Sequence, residues 1–300
     1  MTAKKVAIVI ANYNCIDILR STLESISRLS YTNYKVVIVD DCSANSPDQV
    51  LTEFPEVVLL KNKKNMGFAS TNNRGIRYAL RRGADYIMLL NNDTEVTPHL
   101  LNELLNHANK KTITVPKILY FKNKNRIWYA GGIMDWEHGA VKHIGMGRND
   151  NLDEMKEIRE VEFACGCCML IHKDIINEVG YLPEEYYLYH EDVDYSVRVR
   201  DKGIRILYVP TAVLAHRIGY SSGGTSVPYK KYYFYRNRMY FIKKYSNRCD
   251  SKIAIENTIN DAKRDFINGN FETRYYIIRA FMDFLFGKMY RMSFSIWRIK

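Results

Sequence analysis

The chain has 300 residues and a mass of 35.1 kDa, with 47% hydrophobic and 26% charged residues, a balance that excludes disorder, collagen and coiled coil as the main architecture. No apolar run reaches the ~18 residues of a membrane span, and the opening MTAKKVAIVIANYN reads as a first strand rather than a signal peptide, because Asn12 and Asn14 end its short apolar stretch. The net charge of +11 is uneven: residues 230–300 carry 16 Lys and Arg against 6 Asp and Glu, so a near-neutral body precedes a basic region that suits an acidic partner, nucleic acid or an anionic membrane surface.

Residues 6–10 (VAIVI) form a continuous apolar run, the pattern of a strand buried on both faces. A helix over 16–29 follows from the spacing of Ile16, Leu19, Leu23 and Ile26. A second strand at 36–39 ends on Asp40 and Asp41, and Ser46-Pro47 reads as a helix start. A third strand at 57–60, a helix over 68–82 stopped by Gly83, and a fourth strand at 86–90 ending on Asn91-Asn92-Asp93 complete the alternation. This rhythm predicts a parallel sheet with helices on both faces. Ligands of such sheets bind beyond the carboxyl ends of the strands, where Asn12-Tyr13-Asn14, Asp40-Asp41 and Asn91-Asn92-Asp93 cluster.

Near residue 112 the alternation breaks. Residues 112–120, 127–132 and 140–146 read as strands of a mixed sheet, with Gly131-Gly132 and Gly139 at turns or bulges. Residues 147–160 read as a charged loop, 161–172 as one buried strand, 192–202 as a helix stopped by Gly203, and 204–209 as a strand. Residues 221–228 have loop composition, and aromatic, basic helices follow. The six cysteines form no CxxC pair; Cys165, Cys167 and Cys168 lie in an apolar run and read as core residues of a reduced, cytoplasmic protein.

Neither GxGxxG nor GxxxxGK[ST] is present, which leaves a divalent metal on hard oxygen ligands as the way to hold a diphosphate. Asp93 at a strand end is a candidate ligand, and a helix cap is the alternative. His190-Glu191-Asp192-Val193-Asp194 opens a helix, where carboxylates favour the positive helix end. Three carboxylates in four positions also repel one another, which raises at least one pKa and suits a general base. His216 precedes a glycine-rich loop and is either structural or a ligand.

The ordered motifs NYN, VDD-x-S, N-x-G-F-A, NND-T, ED-x-D and H-x-x-G-x-S, from about Val6 to Ser222, resemble the family 2 glycosyltransferases. Asn65-Met66-Gly67-Phe68-Ala69, Asn73-x-Gly75-Ile76, Tyr232-Tyr233-x-Tyr235-Arg236-Asn237 and Lys244-Tyr245 are similar to the bacterial rhamnosyltransferase-like branch. The resemblance implies an α/β GT-A fold with a mostly parallel, Rossmann-like sheet over residues 1–222 (a nucleotide-binding half at 1–111, an acceptor and catalytic half at 112–222) and a helical extension at 223–300. It implies that Ala11 and Tyr13 flank the nucleotide base, that Asp41 accepts the pyrimidine N–H, and that Asn65 belongs to the donor site. Asn92 would bond the ribose or sugar, Asp93 and His216 would hold Mg²⁺ or Mn²⁺, Asp192 would be the catalytic base, and Glu191 would meet the acceptor. Asn92 stands where many relatives carry an acid.

The implied enzyme is an inverting hexosyltransferase for surface polysaccharide, taking a nucleotide sugar (dTDP-L-rhamnose first, a UDP-hexose next) to a glycan or lipid-linked acceptor. A catalytically inactive relative and a nucleic-acid-binding module are the alternatives, but no recognition-helix or zinc-finger signature supports a nucleic-acid partner. Over 275–290, Ile277, Ile278, Phe281, Phe284, Leu285 and Met289 fall on helical spacing while Arg279 and Asp283 interrupt the run. This predicts a helix lying in an anionic membrane interface, at the inner face of the plasma membrane, with packing on the body or a homo-oligomer as the alternative.

Overall fold

In the computed structural model, which describes residues 4–219 and 227–292, the first half of the chain builds β1 (Val6–Asn12), α1 (Ile16–Ile26), β2 (Tyr34–Asp40), a short 3₁₀ turn (Pro47–Gln49) into the single-turn α2 (Val50–Glu53), β3 (Val58–Lys61), α3 (Phe68–Arg81) and β4 (Tyr86–Leu90). The strands run in the order β3-β2-β1-β4, all parallel, with Val6 opposite both Tyr34 and Tyr86. Ile8, Val9, Ile10, Ile38, Val39, Ile87, Met88 and Leu89 are wholly or almost wholly buried, as expected for strands covered on both faces. Gly83 leaves α3 with a φ of +78°, the left-handed stop predicted for it. Ser46 precedes the 3₁₀ turn, although its side chain makes no capping hydrogen bond.

The second half adds β5 (Thr94–Val96), α4 (Leu100–His107), β6 (Thr112–Tyr120), β7 (Asn123–Tyr129), β8 (Gly132–Asp135), β9 (Ala140–His143), β10 (Arg159–Val161), β11 (Cys168–His172), α5 (Lys173–Val179), α6 (Glu191–Asp201) and β12 (Arg205–His216). Antiparallel β11 sits between β4 and β6 and extends the parallel half into a mixed sheet. The parallel character is thus confined to β1–β4 and the β6–β12 pair.

Residues 161–172 are two strands rather than one. The peptide N–H groups between them turn elsewhere: Glu162 and Phe163 to the carbonyl of Gly132, Ala164 to the Ser196 hydroxyl, and Gly166 to Asp192. The strand expected to end at Val209 runs on to His216, because a register shift between Val209 and Val213 absorbs Pro210, which has no N–H for the ladder. The run expected at 127–132 breaks at Gly131, whose φ is +91°.

Three helices close the described chain: α7 (Pro228–Lys244), α8 (Ser251–Asn268) and α9 (Phe271–Leu285). Phe241 of α7 and Tyr245 just past its end enter the main core, whereas Tyr232, Tyr233 and Tyr235 build a second core with Ala262, Tyr276, Ile277 and Ala280. Part of the basic charge faces inward. Lys230, Arg236 and Arg238 are buried, and Lys231, Lys244, Arg248 and Arg279 pair with Asp265, Asp194, Asp201 and Asp283. No helix among the described residues is long and apolar enough to cross a membrane.

Candidate active site

The carboxyl ends of β4, β1 and β2 are tied by one chain of side chains. Asn92 Nδ2 donates to Asn12 Oδ1 at 2.8 Å, and Asn12 Nδ2 donates to Asp40 Oδ1 at 3.0 Å. Asp40 also accepts the backbone N–H and the hydroxyl of Ser43. Asn92, expected on a ribose or sugar, gives one of its two amide N–H groups to the strand ends. Ala11 is half-buried in β1, and Tyr13, just past it, is 42% exposed.

Asp41 organises the loop ahead of α3. Its carboxylate accepts Asn62 Nδ2 (2.7 Å), Met66 N–H (2.8 Å) and Gly67 N–H (2.8 Å). A carboxylate has about four acceptor positions, so one remains for a ligand. Asn65 Oδ1 accepts the Tyr187 hydroxyl at 2.6 Å, which joins this loop to the segment before α6. Gly67 is required there: its φ of +84° and ψ of 173° are glycine-only territory, and a Cβ would stand 2.4 Å from the Tyr187 ring.

Asp93 is fully buried, and its Oδ1 lies 3.0 Å from His216 Nε2. The pairing follows from the sheet, since β5 and β12 run antiparallel with Thr94 opposite His216. Thr22 of α1 holds the turn: its hydroxyl lies 2.8 Å from the carbonyls of both Asn92 and Thr94. The Trp128 ring packs edge-on at 4.8 Å from the His216 ring. Lys230, in the first turn of α7, is also buried; burial lowers its pKa and the Asp93 charge works against that.

Asp192 opens α6. Its Oδ2 accepts Gly166 N–H and its Oδ1 accepts Val193 N–H, both at 2.9 Å. Burial pushes its pKa up, and the two N–H bonds oppose the rise. Burial pushes Glu191 well above its ordinary value, and Asp192 adds to that. Asp194 plays a different part. It is wholly buried and accepts from the Tyr186 hydroxyl (2.9 Å), Arg198 Nε (3.0 Å) and Lys244 Nζ (2.6 Å), tying α6 to α7.

The two acidic centres meet through the loop between β10 and β11. Asn91 N–H donates to the Cys167 carbonyl at 2.9 Å, and the adjacent Gly166 holds Asp192. Cys165 and Cys167 are buried, and burial is the main force pushing their thiols up, consistent with core residues. Sequence reasoning missed Gly166 as the holder of Asp192 and Thr22 as a clamp. A glycine between cysteines and a threonine on the apolar face of α1 were the available signals.

Glu191 also has a stability consequence. Below its ordinary pKa of 4.5 the carboxyl is protonated in both folded and unfolded chains. Above that, the unfolded chain releases a proton that the folded chain retains, so this group lowers stability as pH rises toward its folded value. Glu191→Gln should therefore raise the melting temperature more at pH 8 than at pH 5, by about 2–4 °C for each kcal/mol recovered. Thermal melts at the two pH values check this.

The resemblance of the motifs to the family 2 glycosyltransferases implies a divalent metal, and Asp93 and His216 fit one. Asp93 offers hard oxygens, and His216 offers an imidazole nitrogen, Nε2, 3.0 Å from one of them.

Residues 7–180 match the family described as Glycosyl transferase family 2. The chain is 25% identical over 241 residues to the low-salt glycan biosynthesis hexosyltransferase Agl10 of Haloferax volcanii, covering 77% of this chain and 73% of that protein. It is 23% identical over 243 residues to the dTDP-rhamnosyl transferase RfbF of Shigella flexneri, covering 79% of each. The N-acetylglucosaminyl-diphospho-decaprenol L-rhamnosyltransferase of Mycobacterium tuberculosis is 23% identical over 67% of this chain and 72% of its own length. Among solved structures, the fold is shared with a mannosyltransferase of Pyrobaculum calidifontis in complex with GDP-Man and Mn²⁺ (TM-score 0.59, 12% identity, 96% of this chain and 89% of that one). It is also shared with S. aureus TarS in complex with UDP-GlcNAc (TM-score 0.59, 16% identity, 95% and 81%). The match over residues 7–180, on a GT-A sheet with its acidic residues gathered at the strand ends, establishes that this chain belongs to glycosyl transferase family 2.

Proposed function

We propose that the chain moves a sugar from a pyrimidine nucleotide-diphosphate donor, dTDP-L-rhamnose first and a UDP-hexose next, to a hydroxyl of a glycan or lipid-linked acceptor in surface polysaccharide synthesis. The observation that carries this reading is the placement of Asp192, a buried carboxyl with a raised pKa held by two N–H groups, one loop away from the Asp93–His216 pair. The names of the Shigella and Mycobacterium relatives favour rhamnose.

In this mechanism Tyr13 stacks on the base, Ala11 lines its edge, and the spare acceptor position of Asp41 takes the pyrimidine N–H. Asp93 and His216 would hold Mg²⁺ or Mn²⁺, which supplies positive charge to the diphosphate leaving group. Asp192 takes the proton as the acceptor O–H bond breaks. The acceptor oxygen bonds the anomeric carbon from the face opposite the phosphate, and the C–O bond pair departs with the nucleoside diphosphate. The configuration inverts in one displacement, and no covalent enzyme intermediate is needed. Glu191, beside the base, bonds the acceptor.

Competition against a bound donor tests the base pocket. dTDP and UDP should compete at least about tenfold more tightly than GDP or ADP, the scale of one well-placed hydrogen bond to a charged group. Equal competition by GDP or ADP contradicts a pyrimidine site.

The same reading places the enzyme on a cytoplasmic, anionic membrane surface, where a lipid-linked acceptor resides. The outward side of α9 supports this: Phe271, Tyr275, Ile278, Met282 and Leu285 are exposed at helical spacing, with Phe286 and Ile267 beside them and exposed Lys263, Arg274 and Lys288 at the flanks. Each cation near an anionic leaflet adds about 1 kcal/mol, reduced by salt. Sedimentation with phosphatidylglycerol vesicles should show binding at low salt that weakens at high salt. Negligible binding in every condition returns this segment to packing on the body or to oligomerisation.

A further inference from the structure

The segment that delivers Asp192 is held in an unfavourable conformation by two residues of α7. Tyr187, Tyr189 and His190 all have positive φ (+66°, +68° and +72°), although none is glycine. Such backbone is strained for residues other than glycine and persists only where the surroundings over-determine it. The surroundings here are Arg236 and Asn237, both wholly buried. Asn237 Nδ2 lies 2.9, 2.7 and 2.8 Å from the carbonyls of Tyr186, Leu188 and Tyr189, so its two hydrogens serve three acceptors in the strained turn. Its Oδ1 accepts Nε and Nη2 of Arg236 at 2.9 and 2.7 Å, which fixes the orientation of the amide. Arg236 Nη2 also reaches the Tyr186 carbonyl at 2.9 Å, and Nη1 the Tyr290 carbonyl at 2.7 Å.

The turn touches both halves of the site. The Tyr187 carbonyl accepts Phe68 N–H at 2.8 Å, its hydroxyl bonds Asn65, and its ring fills the space over Gly67 and stacks on Tyr233 at 4.8 Å. Its other end runs directly into Glu191 and Asp192 at the start of α6. Every residue from Tyr187 to His190 is therefore either left-handed or clamped at its carbonyl, and the path from α7 to the proposed base has no slack.

We infer that Asn237, locked by Arg236, is a positioning residue for the transfer reaction: by clamping the carbonyls of Tyr186, Leu188 and Tyr189 it sets the register in which Asp192 meets the acceptor. The inference rests on Asp192 being the base. It makes the C-terminal helices part of the catalytic apparatus rather than an appendage. The alternative is that the clamp serves only folding.

The test is a cycle of Asn237→Ala, Asp192→Asn and the double variant in the full chain, with Arg236→Lys as a milder lesion that keeps the charge and loses the fork. The readouts are hydrolysis of saturating dTDP-L-rhamnose (and UDP-glucose) with Mn²⁺, nucleotide Kd by calorimetry, and melting by circular dichroism. Misplacing a reacting group by about 1 Å can cost about 10²-fold. Asn237→Ala, or Arg236→Lys if the first does not fold, should lower kcat by about 10–10²-fold with nucleotide Kd within about threefold of wild type, and the double variant should be no slower than Asp192→Asn alone. Folded variants with wild-type kcat, or losses that multiply in the double variant, overturn the positioning role. A fully active Asp192→Asn instead overturns the base assignment, whatever Asn237→Ala does.

Discussion

Asp192→Asn should lower turnover by roughly 10²–10⁴-fold while leaving donor affinity nearly unchanged, the usual scale for loss of a general base. The substitution is close to isosteric. Its oxygen can still accept one of the two N–H bonds from Gly166 and Val193, so α6 keeps its start, and what is lost is the proton acceptor. The raised pKa of Asp192 bears on the pH dependence. A base works only when deprotonated, so kcat/KM should rise with pH through the raised Asp192 value, at higher pH than for an ordinary carboxylate. Glu191 is the competitor, because burial raises its carboxyl too. Asp194 is not, because Arg198 and Lys244 form ion pairs with its carboxylate, which lies wholly buried between α6 and α7. Steady-state kinetics of the two variants separate them: wild-type turnover in Asp192→Asn with an inactive Glu191→Gln transfers the base role to Glu191.

Asp93→Asn should lower kcat/KM by about 10³-fold and abolish most of the response to added Mn²⁺, because on the proposed reading Asp93 would be the hard anionic ligand of a metal that would stabilise the leaving diphosphate by several kcal/mol. Folding should survive, since the turn is also held by Thr22 and by the Arg217 N–H on the Asp93 carbonyl. His216→Ala should weaken donor binding while leaving turnover at saturation less affected, because β12 is fixed by its ladder to β6 up to residue 216. Metal titrations of both variants check the pair. Unchanged donor affinity in His216→Ala makes the histidine a structural partner of Asp93 and Trp128.

The parallel half of the sheet was legible because buried strands leave continuous apolar runs and helix stops leave glycines. Residues 86–90 and 112–120 fall at the predicted places for that reason. Where polar backbone groups find side-chain partners, the pattern misleads. The stretch 161–172 is mostly apolar, yet its middle is a loop, because Ser196 and Asp192 take N–H groups that a strand would have given to its neighbour. The strand expected over 204–209 passes Pro210 at a bulge and runs on to His216.

For the site, the strand-end clusters were visible as clusters, but their internal wiring was not. Asn92 bonds Asn12, and Asn65 bonds Tyr187, each a pairing between residues 80 or more apart in the chain. The net charge of residues 230–300 was visible too, whereas its partial burial against Asp194, Asp201, Asp265 and Asp283 depends on how α7–α9 pack.

Metal-dependent binding of a pyrimidine nucleotide sugar at Asp93 is tested most directly by calorimetric titration of the full chain with dTDP-L-rhamnose and UDP-hexoses, in Mn²⁺ and in excess chelator, for wild type and Asp93→Asn. At least one pyrimidine nucleotide sugar should bind the wild type in Mn²⁺, and its affinity should fall by about tenfold or more, ~1.4 kcal/mol, both in chelator and in the variant. Failure of every nucleotide sugar to bind, or binding indifferent to both the chelator and Asp93→Asn, contradicts that assignment.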